Sequence, residues 1–293
     1  MVTKSRSQSA KTSPKKTPPK TQTTSPAKEA SSNGSGPSTQ ETLRRLYTSL
    51  MRCRLVQEEA QKTSARNYDI AIGHEAIAVA PTAELTAEDT ITATDSNLSA
   101  LVTRGVPINV LLGGSADCIP VHSVTQASLP QDPFHLATGV ALAHRLAKQN
   151  RVVVAFCAEE RPALETWHEA LKFAGVHKLP VIFVIKNGVA DQKSSSDHAP
   201  HLEAFSFMAR DYGYPGIIVD GHDVVAVWRA AHESIHRART GSGPTLIDCR
   251  TDSGHDPLAY MEHYMRKRNL WDDGWKKQVE AEIRGEIEKV VQR

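Results

Sequence analysis

Arg151-Val-Val-Val-Ala-Phe156 and Pro180-Val-Ile-Phe-Val-Ile185 decide the fold. Each is a continuous apolar run rich in β-branched residues, without polar alternation, as a strand buried on both faces requires. Between them, Pro162 suits the first position of a helix, where its missing N–H is unpaired anyway. Leu164, Trp167, Leu171 and Ala174 then recur on one helical face. Strand, helix and strand within about 35 residues predict a right-handed βαβ crossover.

The pattern extends both ways. Downstream, Gly216-Ile-Ile-Val-Asp220 reads as a strand. Val224–Arg239 reads as a helix with Val225, Trp228 and Ile235 inward, and Pro244-Thr-Leu-Ile-Asp-Cys249 as a further strand. Upstream, Leu136–Lys148 is an Ala-rich helix, Thr90–Thr94 a short strand, and Gly73 to Ala83 a second helix. The first helix follows the capping box Ser38-x-x-Glu41 and carries Leu43, Leu46, Tyr47, Leu50, Met51 and Leu55 on one face. Two helices near Leu258–Arg268 and Asp272–Val291 close the chain. Alternating strands and helices predict an α/β protein: a mostly parallel sheet with helices on both faces.

Composition narrows the class. Of 293 residues, 40% are hydrophobic and 23% charged, which suits a large globular domain. No apolar run approaches the roughly 20 residues of a membrane span, and the first 40 residues hold no apolar stretch of a secretory signal. Cys53, Cys118, Cys157 and Cys249 are scattered singly, as reduced thiols of a cytoplasmic protein would be. Residues 1–40 carry seven Lys/Arg and one acid, so the remainder holds −4 of the net +2. Their Ser/Thr/Pro/Lys composition predicts a disordered basic tail over 1–37 and a single domain over 38–293. A solubilising arm is the plainer reading of that tail, and nucleic acid is not the expected partner. A binding module that uses the tail for nucleic acid or an acidic partner stays open as an alternative.

Ligands of open parallel sheets bind beyond the carboxyl ends of the strands. Two loops are expected there: Cys157-Ala158-Glu159-Glu160-Arg161 and Lys186-Asn187-Gly188-Val189. Glu159 and Asn187 are the candidate cofactor-binding residues, because an acidic and an amide oxygen suit magnesium carrying a phosphorylated cofactor. Acids in a helix's first turn also stabilise its dipole unaided, which is the structural reading of Glu159 and Glu160. No metal ligand set is assigned: His232 and His236 stand four apart on a helix with no third ligand in view, and a solvated face explains them. His198 and His201, in a Ser/Asp/Pro loop, read the same way, and Cys157 reads as a small core residue.

The segment Arg151–Gly188 resembles the thiamine-diphosphate motif of the pyruvate and branched-chain 2-oxo acid dehydrogenase α subunits. The matching landmarks include Ile72-Gly-His-Glu-Ala76, Leu136-Ala-Thr-Gly139, His168-Glu-Ala-Leu171, Val219-Asp-Gly-His-Asp-Val224 and Gly243-Pro-Thr-Leu-Ile247, in family order from about Leu43 to Val291. The resemblance implies the thiamine-diphosphate-binding fold, thiamine diphosphate and magnesium as cofactors, and a β-like partner subunit or homo-oligomer. It also implies oxidative decarboxylation of a 2-oxo acid with acyl transfer to lipoyl. The family's Gly-Asp-Gly aligns with Ala158-Glu159-Glu160, its Asn-Asn pair with Asn187-Gly188, its diphosphate-holding Tyr-Arg with Asp95-Ser96, and its His-Gly-His-Ser loop with a shortened remnant, Gly254-His255. The resemblance thus makes His255 the candidate catalytic residue, a residual substrate-binding or acid/base group, with a plain loop histidine as the alternative. Glu160 sets a like charge against phosphate, and Gly188 lacks the oxygen that ligates magnesium. The expectation is a degenerate α subunit with weak or absent cofactor binding. A working α subunit with an altered metal and diphosphate site is the first alternative.

Overall fold

A computed structural model of the chain describes residues 39–63, 68, 70–94, 97–112, 124–127, 133–157, 164–188, 204–252 and 254–292. All of these fall in one compact unit, Pro37–Arg293. The basic tail, Ser38 of the expected capping box, Asp95-Ser96, Pro162 and the Ala158-Glu159-Glu160 segment lie outside the described residues.

The elements run α1 (Thr39–Thr63), α2 (Glu75–Thr82), β1 (Thr90–Thr94), α3 (Leu98–Thr103), α4 (Ile108–Leu112), β2 (Val124–Ala127), α5 (Pro133–Leu146) and β3 (Val153–Cys157). Then follow α6 (Leu164–Val176), β4 (Val181–Gly188), α7 (Ala204–Asp211), β5 (Gly216–Asp220), α8 (Val224–Arg239), β6 (Thr245–Thr251), α9 (Pro257–Lys267) and α10 (Asp273–Val291). The six strands form one sheet in the order β2-β1-β3-β4-β6-β5, with every pairing parallel.

The apolar runs are continuous because the sheet is covered on both faces. Val152, Val154, Phe156, Ile182, Val184, Ile247 and Cys249 enter one core, with α1, α2, α3, α8, α9 and α10. Val153, Ala155, Cys157, Val181, Phe183, Ile185 and Leu246 alternate with them into a second core, with α5, α6 and α7. The period-2 pleat thus feeds two apolar layers from one sequence run. The whole expected face of α1 is buried, as is Cys157. Trp167, Leu171 and Ala174 of α6 are also fully covered. No helix among the described residues is long and apolar enough to cross a membrane.

Several boundaries move for local reasons. The second helix starts at Glu75 rather than Gly73, because Gly73 takes φ 92° and His74 becomes the N-cap. The Ala-rich helix starts earlier, at Pro133, and is closed beyond Leu146 by Lys148 at φ 54°. Asp272, expected as helical, is instead the cap of α10 and accepts from Gly274 N (2.8 Å) and Trp275 N (3.2 Å). Trp228 is half-buried, with its indole N–H donating to Glu84. The largest shift concerns β4: Lys186, Asn187 and Gly188, expected in a loop, are strand residues. They pair with Cys249, Arg250 and Thr251 because β6 also runs on to Thr251.

Candidate functional site

The sheet order creates a switch point. From β1 the chain moves outward to β2, then returns to β3 and moves the other way to β4. Beyond the carboxyl ends of β1 and β3 a ligand crevice is expected. A pocket lies there, lined by His74, Asn97, Ser99, Cys157 and Lys186 with Ala71, Ile77, Ala78 and Phe156.

Its walls are set by neighbouring scaffold contacts. Glu75 is fully buried and accepts from Arg54 Nε (2.5 Å) and Nη2 (3.1 Å), Gln57 Nε2 (3.4 Å) and the Gly73 N–H (3.1 Å). Arg54 also reaches Asp256, the cap of α9, at 2.6 Å. One guanidinium therefore ties α1, the turn before α2 and the loop after β6 together. Asn97 caps α3 by accepting from Ala100 N. His74, half-buried, is held near pKa 4 by burial, with Lys186 and His222 adding repulsion, so its ring is neutral at pH 7. Among the described residues, His74 Nδ1 and Ser99 Oγ are buried without hydrogen-bond partners.

Of the residues singled out in the sequence, Asn187 and His255 are both at this edge, and Glu159 lies outside the described residues. Asn187 is 4% exposed, and its amide donates to Asp248 Oδ1 at 3.0 Å. Asp248 is fully buried, and its Oδ2 has no partner among the described residues. Burial raises its pKa, only partly offset by Asn187 and the charge of Arg250. His255 is exposed and its Nδ1 lies 2.7 Å from Asp252 Oδ1, which raises the imidazole's pKa and lowers the carboxylate's. His232 is exposed against Glu84 (3.1 Å) and His236 is exposed, as a solvated helix face has them. His198 and His201 lie outside the described residues.

Two further residues belong to the site. His222 follows β5 in a turn that presses on β6, where a Cβ at Gly221 would stand 2.7 Å from Thr251 Cγ2. Lys186 puts a cation on the pocket wall. Both stood within quoted stretches of sequence, but the partners that reveal them come from strands distant in the chain.

The described part of the wall is a poor match for magnesium. Among the described residues no carboxylate lines the pocket, Asn187 is turned into the sheet, and Gly188 has no side-chain oxygen, while Lys186 would repel a dication.

The comparisons agree with this architecture. The family model described as "Dehydrogenase E1 component" matches residues 41–252. The α subunit of acetoin:2,6-dichlorophenolindophenol oxidoreductase from Bacillus subtilis is 31% identical over 195 residues, covering 61% of this chain and 59% of that protein. The 2-oxoisovalerate dehydrogenase subunit alpha of Bacillus subtilis is 39% identical over 178 residues, covering 53% of each. The chloroplastic pyruvate dehydrogenase E1 component subunit alpha-3 of Oryza sativa subsp. japonica is 30% identical over 193 residues, covering 54% of this chain and 44% of that protein. The chain thus spans about half the length of the curated relatives it matches. Since the matched segment includes every strand of the sheet and the Glu75 residue at the start of α2, the chain belongs to the dehydrogenase E1 component family, and the relatives it resembles are α subunits.

Proposed function

We propose that this chain is a degenerate α subunit of a 2-oxo acid dehydrogenase, which assembles with a β-like subunit in the cytoplasm and acts as a structural or regulatory subunit. In this reading it binds thiamine diphosphate and magnesium weakly or not at all. The observation that carries it is Asn187. Its amide is committed to the buried Asp248, and the next residue, Gly188, has no side-chain oxygen to offer a metal. The Arg54–Glu75–Asp256 clamp beside the pocket is meanwhile intact.

Support for a partner comes from the outer helices. Leu146 is 74% exposed and Val176 69% exposed, at the C-terminal ends of the adjacent α5 and α6. Gly139 and Ala143 of α5 are exposed as well and suit close approach by another helix. The family's α chains pair with β chains, and this surface is where we place such a contact.

Reconstitution with a β-like chain tests the proposal. Light scattering is expected to show a mixed oligomer, and a lipoyl-acylation assay is expected to show no turnover above background. Robust turnover of a 2-oxo acid would install the working-enzyme reading in its place, with Glu159 as the remaining carboxylate.

A further inference from the structure

We propose that His222, Asp252 and His255 bind a divalent transition-metal ion of the zinc or cobalt class. The three side chains offer ligand atoms that all lie within 4.8 Å of one another. Asp252 Oδ1 stands 2.7 Å from His255 Nδ1 and 3.7 Å from His222 Nε2. Bonds of about 2.0–2.2 Å place tetrahedral ligands roughly 3.3–3.5 Å apart. Asp252 and His255 are both exposed, so the adjustment falls on them and their loop while the buried ligand stays in place.

His222 is the fixed member. It is 2% exposed, and its Nδ1 lies 3.0 Å from the carbonyl of Gly73. A nitrogen facing a carbonyl carries the proton, so Nε2 keeps its lone pair and points outward. That lone pair accepts the Asp252 backbone N–H at 3.1 Å, so a metal ion takes the place of this hydrogen bond as the loop holding the other two ligands shifts. An outer hydrogen bond from the far nitrogen to a backbone carbonyl is the arrangement that orients metal-binding histidines. Asp220 adds negative charge on the same turn, its Oδ1 accepting the His222 N–H at 2.9 Å.

The donor set selects the ion. Two imidazoles and one carboxylate suit zinc, cobalt or nickel, whereas magnesium and calcium seek oxygen ligands. With the His255 side chain 60% and that of Asp252 49% exposed, the remaining positions are open to water. Three protein ligands with an open position is the pattern of reactive rather than structural zinc. The His222 ring lies 5.5 Å from that of His74 and 5.6 Å from that of His255 between centroids, so it neighbours both the pocket wall and the exposed loop.

Calorimetric titration of Zn²⁺ alone, and absorption titration of Co²⁺ alone, into the full chain test the site. One ion per chain is expected at micromolar affinity, with a visible cobalt band of a four- or five-coordinate ion. His255→Ala and Asp252→Asn should each weaken binding by at least about tenfold and remove the band. Both side chains are exposed, and unchanged circular dichroism melts would show that the variants remain folded. The surface pair His232→Ala/His236→Ala should leave the affinity within about twofold. Absence of saturable binding up to about 1 mM, affinity indifferent to His255→Ala and Asp252→Asn, or affinity lost with the surface pair would each overturn the assignment.

Discussion

Asp89 and Asp248 are both fully buried in the same sheet, and they have opposite surroundings. Asp89, at the amino edge beside β1, accepts from Thr86 N (2.7 Å), Thr86 Oγ1 (2.9 Å), Val152 N (2.9 Å) and Arg239 Nη2 (2.5 Å). Burial alone would raise its pKa, but these donors, Arg239 foremost, hold it below the usual carboxylate range. Asp248, toward the carboxyl edge, has one donor in Asn187 and an oxygen with no partner among the described residues, and its pKa is raised. The Asp89 carboxylate is fully satisfied by the scaffold. The pocket at the carboxyl edge keeps two buried atoms, Ser99 Oγ and His74 Nδ1, that have no partner among the described residues.

Breaking the satisfied side should have the largest effect. Arg239→Ala leaves Asp89 charged, buried and without its cation, and should destabilise the chain by about 3–5 kcal/mol in urea unfolding at pH 7. Asp89 has a depressed folded pKa, so its contribution is present above the unfolded value of roughly 3.9. It is lost as pH falls through the lower folded value, and the gap between wild type and variant should close below about pH 4. A loss under about 1 kcal/mol at pH 7 would show that the amino edge is no better satisfied than the other.

The Asp248 side should respond with the opposite sign. Asp248→Asn keeps an oxygen for Asn187 and removes a poorly paired buried charge. It should leave stability unchanged or raise it by up to about 1–2 kcal/mol at pH 8. Because the folded pKa of Asp248 is raised, the penalty of its charged form exists above that value and is relieved as pH falls through it. The variant's advantage should therefore shrink toward acid pH in thermal melts. A clear destabilisation at pH 8 would mean that the Asp248 carboxylate is better paired than its geometry indicates.

The same contrast governs what sequence could tell. The strands β3 and β4 are legible because two-sided burial forces an unbroken β-branched run, and α8 because Val225, Trp228 and Ile235 recur on one helical face. The helices α3 and α4, of 6 and 5 residues, α7, of 8, and β2, of 4, are too short to impose a clear period on the sequence. At the site, Asn187 could be found by resemblance, but its commitment to Asp248 could not, since 61 residues separate the pair. The His222–Asp252–His255 group was hidden for the same reason, because β6 must fold back beside β5 before these side chains meet.

Calorimetric titration of thiamine diphosphate with magnesium into the chain, its β-like partner present, tests the central claim most directly. Lost charged hydrogen bonds at aligned positions cost on the order of 1–3 kcal/mol each, and three of them amount to about 10³-fold or more in affinity. No saturable heat is expected at cofactor concentrations of about 10–100 μM. The combined variant Glu160→Gly, Gly188→Asn and Ser96→Arg should recover measurable binding on the retained scaffold. Saturable, magnesium-dependent binding by the unaltered chain in that range would contradict the account.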